Sequence, residues 1–104
     1  MEIILFNKIP SRSEAESIIK ELASRGAICW SMHCKERMKE RGITMPQILN
    51  CLSKDRVVEE PFLNYANGGG YETAMEKDAA GERLRVVVCI KLSKKLLIVT
   101  AYNN

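Results

Sequence analysis

The chain has little of what an exported or metal-organised protein carries. Its four cysteines, Cys29, Cys34, Cys51 and Cys89, form no Cys-x-x-Cys pair and sit inside apolar segments. There they act as small hydrophobes, and in a reducing compartment they do not pair. Cys29, His33 and Cys34 are close enough in sequence to suggest zinc, but no second Cys/His pair has ligand spacing. No metal and no cofactor is expected. Glu2 stands where a signal peptide has basic residues, and the apolar run Ile3 to Phe6 is too short for one. No stretch approaches the ~20 apolar residues of a membrane span. These absences point to a cytoplasmic protein with no membrane partner. Histidine is nearly missing as well: His33 is the single one, so any histidine-dependent chemistry has one candidate.

What is present suits one small domain covering residues 1–104. The hydrophobic fraction is 46% and the charged fraction 28%, ordinary for a soluble globular chain that can bury a core. At 104 residues there is no room for a second core, so a site is expected as a surface groove. The net charge of +3 is unevenly spread. Residues 33–56 carry six basic and three acidic side chains, residues 57–80 one basic and five acidic, and residues 81–104 five basic and one acidic. If the two basic regions meet in space, they make a surface suited to phosphates.

The pattern divides into a helical half, about 11–53, and a strand half, about 55–103. Glu2 to Asn7 reads as a short extra strand. Ser11-x-x-Glu14 and Ser13-x-x-Glu16 are overlapping capping boxes, followed by Ala15, Ile18, Ile19 and Leu22 at helical spacing. A second helix is predicted from about Cys29 to Arg41, with Trp30, Cys34 and Met38 as its apolar stripe and Gly42 as its stop. Thr44 and Gln47 form another capping box, after which Ile48, Leu49 and Leu52 face inward. Strands follow at residues 56–60, 71–76, 83–91 and 96–102. Helices first and antiparallel strands afterwards predict an α+β domain, with helices packed on a four-stranded antiparallel sheet.

Two groups of residues carry chemistry. Residues four apart lie ~40° from each other around a helix, so His33, Arg37 and Arg41 line one side, bordering the apolar stripe. A histidine half-shielded there beside two guanidiniums would be kept neutral and could act as a general base. The arginines could hold a phosphate by paired hydrogen bonds. In the last hairpin, a two-residue turn at Ser93-Lys94 would set Lys91 opposite Leu96, Cys89 opposite Ile98, Val87 opposite Thr100 and Arg85 opposite Tyr102. Leu84, Val86, Val88 and Ile90 would then share one face with Leu97, Val99 and Ala101. Arg83, Arg85, Thr100 and Tyr102 would share the other. Lys91 adds a basic group at the strand end. The helix and strand groups can join only if the helix reaches round an edge or end of the sheet. The competing readings are a solvated charged face, a non-catalytic RNA- or protein-binding module, and an interaction protein whose acidic segment from Glu59 to Asp78 docks a basic partner.

The segment Ser31-Met32-His33-Cys34-Lys35-Glu36-Arg37-Met38-Lys39-Glu40-Arg41-Gly42-Ile43-Thr44, together with the ending Ile98-Val99-Thr100-Ala101-Tyr102, resembles a family of small prokaryotic proteins filed as a domain of unknown function. The likeness covers about Ser31 to Tyr102. That family looks like part of the RelE-like fold group of toxin ribonucleases, which includes barnase and EndoU relatives. The resemblance implies a RelE-like sheet with helices on one face and metal-independent cleavage of RNA. The RNA would be mRNA, with the ribosome a possible setting, and a cognate antitoxin would be the protein partner. It implies that His33, Arg37, Arg85, Thr100 and Tyr102 form the site; these are expected to be catalytic, and Arg41, Arg83 and Lys91 to bind substrate. Arg83 and Arg85 are alternatives for the strand arginine.

Overall fold

Local side-chain chemistry starts each helix. In the computed structural model, which describes residues 8–79 and 81–103, helix α1 spans Arg12–Ser24. Its N-cap Ser11 accepts from the Glu14 N–H at 3.1 Å, and Glu14 accepts from the Ser11 N–H at 2.9 Å. Of the two overlapping boxes, the first is therefore the one used. These contacts hold the exposed Glu14 carboxyl below its ordinary pKa. Strand β1 (Ile28–Trp30) follows, then helix α2 (Met32–Arg41), capped by Ser31 and stopped at Gly42, whose φ is 66°. Helix α3 (Met45–Lys54) opens on the expected Thr44–Gln47 box.

Strands β2 (Arg56–Val57), β3 (Phe62–Asn64), β4 (Gly70–Ala79), β5 (Glu82–Lys91) and β6 (Leu96–Asn103) complete the chain, with a 3-10 turn at Ala66–Gly68 between β3 and β4. Among the described residues the fold is mixed α+β: three helices and a six-stranded sheet in the order β1-β6-β5-β4-β2, with β3 also on β4. Two strands exceed the four expected. β1 replaces the predicted first turn of the second helix and runs parallel to β6, pairing Ile28 with Leu96 and Trp30 with Ile98. β3 shares the outer edge of β4 with β2, and the segment Val58–Pro61 passes between them. There Val58 donates to the Ala74 carbonyl at 2.9 Å, and the buried Thr73 hydroxyl donates to the Glu59 carbonyl at 2.7 Å. The predicted strand at Glu2–Asn7 lies outside the described residues.

One buried cluster joins Ile19 and Leu22 of α1, Cys34 of α2, and Ile48, Cys51 and Leu52 of α3 to Met75, Val86, Val88, Ile90, Leu96, Ile98 and Ala101 of the sheet. Leu49, expected inside, is exposed, and Cys51 takes the buried position. Trp30 and Met38 pack at the cluster's margin, Trp30 from a strand and not from the helix. No helix among the described residues is long and apolar enough to cross a membrane.

The β5–β6 hairpin departs from its expected form twice, and the departures cancel. The loop has three residues, not two: Lys94 donates to the Lys91 carbonyl, Lys91 donates to the Lys95 carbonyl, and Lys94 takes a φ of 64°. This is a type I turn closed by a left-handed residue. The extra residue shifts the first pairings, so Ile90 meets Leu96 and Val88 meets Ile98. Leu96 and Ile98 thus enter the core in place of Leu97 and Val99. A bulge then leaves Val99 unpaired and restores the expected partners, Val87 with Thr100 and Arg85 with Tyr102.

Candidate functional site

Helix α2 is positioned by the strand edge beside it. β1 covers the first part of that edge, and its last hydrogen bond runs from the Ser31 N–H to the Ile98 carbonyl at 3.1 Å. The chain then turns into the helix at the level of the bulge. The Ser31 hydroxyl donates to the Val99 carbonyl at 2.7 Å while accepting from the Cys34 N–H at 2.9 Å. One hydroxyl thus caps the helix and ties it to the bulged strand. At the far end Arg41 Nη1 donates to the Asn103 carbonyl and Asn103 Nδ2 to the Arg41 carbonyl, each at 3.4 Å. The helix therefore runs alongside β6, in the same direction, from Val99 to Asn103.

This placement brings the helix and strand groups together. His33, Arg37 and Arg41 line a cleft of about 300 Å³ with Thr100, Ala101 and Tyr102. His33 is exposed, turned further toward solvent than the seam expected for it; Arg37 is half-buried and Arg41 exposed. Arg37 Nη1 lies 3.3 Å from Glu40 Oε1, a surface pair of small net energy. The lining carries two guanidiniums and no carboxylate. Such a cleft offers an anion two charged donors, two hydroxyls and an imidazole.

The strand arginines face a second cleft, of about 230 Å³, lined by Glu76, Arg83, Arg85 and Tyr102. Tyr102 is the shared wall of the two. Glu76, Arg85 and Tyr102 form a cross-strand row over β4, β5 and β6. Arg85 Nη1 donates to Glu76 Oε2 at 2.8 Å, and Nη2 pairs with the Glu59 carboxylate. Burial alone would lower the Arg85 pKa; the Glu76 hydrogen bond, Tyr102 and Glu59 outweigh it, and the net shift is upward. Arg83 lies 3.5 Å from Glu76 and 3.4 Å from Asp78. Neither strand arginine lines the His33 cleft. Lys91 lines neither cleft: it pairs with Gly70 at the opposite end of β5 and packs its Nζ near Gly68.

A family model for a domain of unknown function, DUF4258, matches residues 30–103. The chain belongs to that family. No curated protein and no solved structure is matched by the chain. The DUF4258 segment takes in α2 and β6, and with them every residue that lines the His33 cleft; α1 lies outside it. Three further side chains hold or engage the cleft residues and are not singled out by the sequence pattern: Ser31, Glu59 and Glu76. For Ser31 the signal is a serine N-cap one residue before Met32, where the helix starts. Glu59 and Glu76 were legible only as acidic charge, since their pairing with Arg85 depends on the register of β4.

Proposed function

We propose that this DUF4258 chain is a small endoribonuclease of toxin–antitoxin type with a RelE-like arrangement, acting in the cytoplasm on mRNA and restrained by a cognate antitoxin. The observation that carries this reading is the cleft where His33, Arg37 and Arg41 meet Thr100 and Tyr102. The nucleophile is the substrate's own 2′-hydroxyl, so the chemistry calls for a base, an acid and an anion clamp. His33 takes the 2′-hydroxyl proton, the 2′-oxygen attacks phosphorus, and the bond from phosphorus to the 5′-oxygen breaks. The Tyr102 hydroxyl, or the imidazolium formed in the first step, protonates the leaving 5′-oxygen. Arg37 and Arg41 hold the non-bridging oxygens as charge builds on them, with the Thr100 hydroxyl as a further donor. The products are a 2′,3′-cyclic phosphate and a 5′-hydroxyl.

RNA cleavage assayed in chelator with wild type and His33→Ala tests this. Cyclic-phosphate ends that form with wild type, and at least ~100-fold more slowly with the variant, are expected. Intact RNA with wild type refutes it. The engagement of Arg85 by two carboxylates favours one other reading, a module that holds RNA without cutting it. That reading requires His33→Ala to keep RNA affinity while Arg37→Ala and Arg41→Ala lose it, with no cleavage by any of them.

A further inference from the structure

The second cleft opens beside the first and shares Tyr102 with it. Its two carboxylates toward Arg85 are not equivalent. Glu76 belongs to the ladder of β4, is 20% exposed, and is shared between Arg85 and Arg83. It is a fixed wall of the cleft. Glu59 sits on the connection Val58–Pro61, and its side chain is 45% exposed. Its backbone is fastened to β4 through Thr73, while among the described residues its carboxylate reaches the site through Arg85.

One carboxylate already balances one guanidinium, so Glu59 is a second carboxylate on Arg85. In the ion pairs that reach this cleft, three carboxylates, Glu59, Glu76 and Asp78, meet two guanidiniums, Arg83 and Arg85. A phosphodiester carries the same single negative charge as a carboxylate and meets guanidinium N–H groups in the same way. Exchanging one for the other leaves the local charge unchanged, and the released Glu59 side chain swings into solvent from an already half-exposed position.

We propose that Glu59 is the internal occupant of an anion subsite formed by Arg85 and Arg83, and that a phosphodiester neighbouring the scissile one displaces it when RNA binds. This rests on RNA being the substrate of the adjoining cleft. Such an occupant lowers the apparent affinity for RNA by the fraction of molecules in which the subsite is open.

The test uses an RNA oligonucleotide with 2′-O-methyl at every position, which binds but has no free nucleophile. Fluorescence anisotropy at fixed salt compares wild type, Glu59→Gln, Arg85→Ala and the double variant. Glu59→Gln is expected to bind about 5-fold tighter, and the gain is expected to vanish in the Arg85→Ala background. A parallel titration with inorganic phosphate, followed by the Arg85 Nε–H signal in a ¹⁵N spectrum, is expected to saturate at lower phosphate in Glu59→Gln; the same spectrum reports whether the variant is folded. Binding by Glu59→Gln that equals or falls below wild type, in a folded protein, overturns the subsite. If that RNA binding still depends on Arg37 and Arg41, the ribonuclease reading stands without it. RNA binding by none of the four proteins overturns both.

Discussion

Replacing Ser31 with alanine removes one oxygen that serves two partners. The hydroxyl accepts from the Cys34 N–H at 2.9 Å and donates to the Val99 carbonyl at 2.7 Å. Loss of a serine N-cap costs about 1 kcal/mol. Loss of a half-buried hydroxyl–carbonyl bond costs about 1 kcal/mol more. Because one group makes both bonds, about 2 kcal/mol is an upper value for the pair. For a domain of this size each kcal/mol moves the melting midpoint by roughly 4–8 °C, so Ser31→Ala should melt lower by up to roughly 8–16 °C. Ser31→Gly separates the two roles, since glycine keeps most of the capping preference and loses the tether; it should fall between. Ser31→Thr keeps both bonds and should melt near wild type. Circular dichroism melts of the four proteins decide the matter. A Ser31→Ala midpoint within about 3 °C of wild type, or a Ser31→Thr midpoint as low as that of Ser31→Ala, refutes the argument. On the ribonuclease reading proposed above, RNA cleavage by Ser31→Ala, measured well below its midpoint, should also fall, because the tether holds the start of α2 against β6.

Gly70→Ala should lower the urea midpoint by an amount equivalent to about 2 kcal/mol, because the new Cβ would lie 2.5 Å from the Ile90 carbonyl oxygen and 2.7 Å from Cys89 Sγ; an unchanged midpoint would contradict the close approach. Native protein at pH 8 should modify Cys34, Cys51 and Cys89 slowly with a thiol reagent and rapidly once unfolded, since all three are buried; mapping the labelled peptides checks this. Burial, then Asp55, pushes the Cys51 thiol up to about 12, and burial raises Cys34 and Cys89 as well. A folded-state value above the unfolded one favours the protonated thiol, so this stability is full below about pH 8.5 and is lost as pH climbs from there toward about 12. Melting curves across that range should fall less steeply for Cys51→Ala than for wild type, and identical slopes would remove the assignment. The lowered carboxyl of Glu14 acts in the opposite direction: its contribution is present at neutral pH and lost as pH falls through the acid range, which Glu14→Gln should abolish.

Elements written in short-range chemistry were legible. Ser11 with Glu14 and Thr44 with Gln47 announce α1 and α3 because each box closes within four residues. β1 was not legible, since Ile28–Trp30 is three apolar residues running straight into a helix, and its partner lies near residue 97. β3 hid for the same reason, three residues long and next to Pro61. The rows Arg85–Tyr102 and Val87–Thr100 were read correctly from alternation, although the assumed turn was one residue short. The identity of the aliphatic layer was not, because Leu96 and Ile98 take the core in the stretch before the bulge. Juxtaposition of His33 with Thr100 needed knowledge that α2 lies along an edge, and that follows from a strand no local pattern revealed.

The Val99 bulge has a bearing on how the chain tolerates changes in length. Side chains on a strand alternate in facing, and Val99 is the residue of β6 left without a partner on β5. Deleting it would leave Ile98 opposite Val88 and Thr100 opposite Val87, so the cleft would keep its strand half; what would go is the carbonyl that holds Ser31. Removing one loop residue would leave Lys91 closing on Lys95 and change only the turn. Straightening the bulge with no residue removed is the change that would roll Thr100 and Tyr102 onto the aliphatic side and Ala101 outward. The facing of these two residues therefore depends on the bulge, and not on the length of the hairpin.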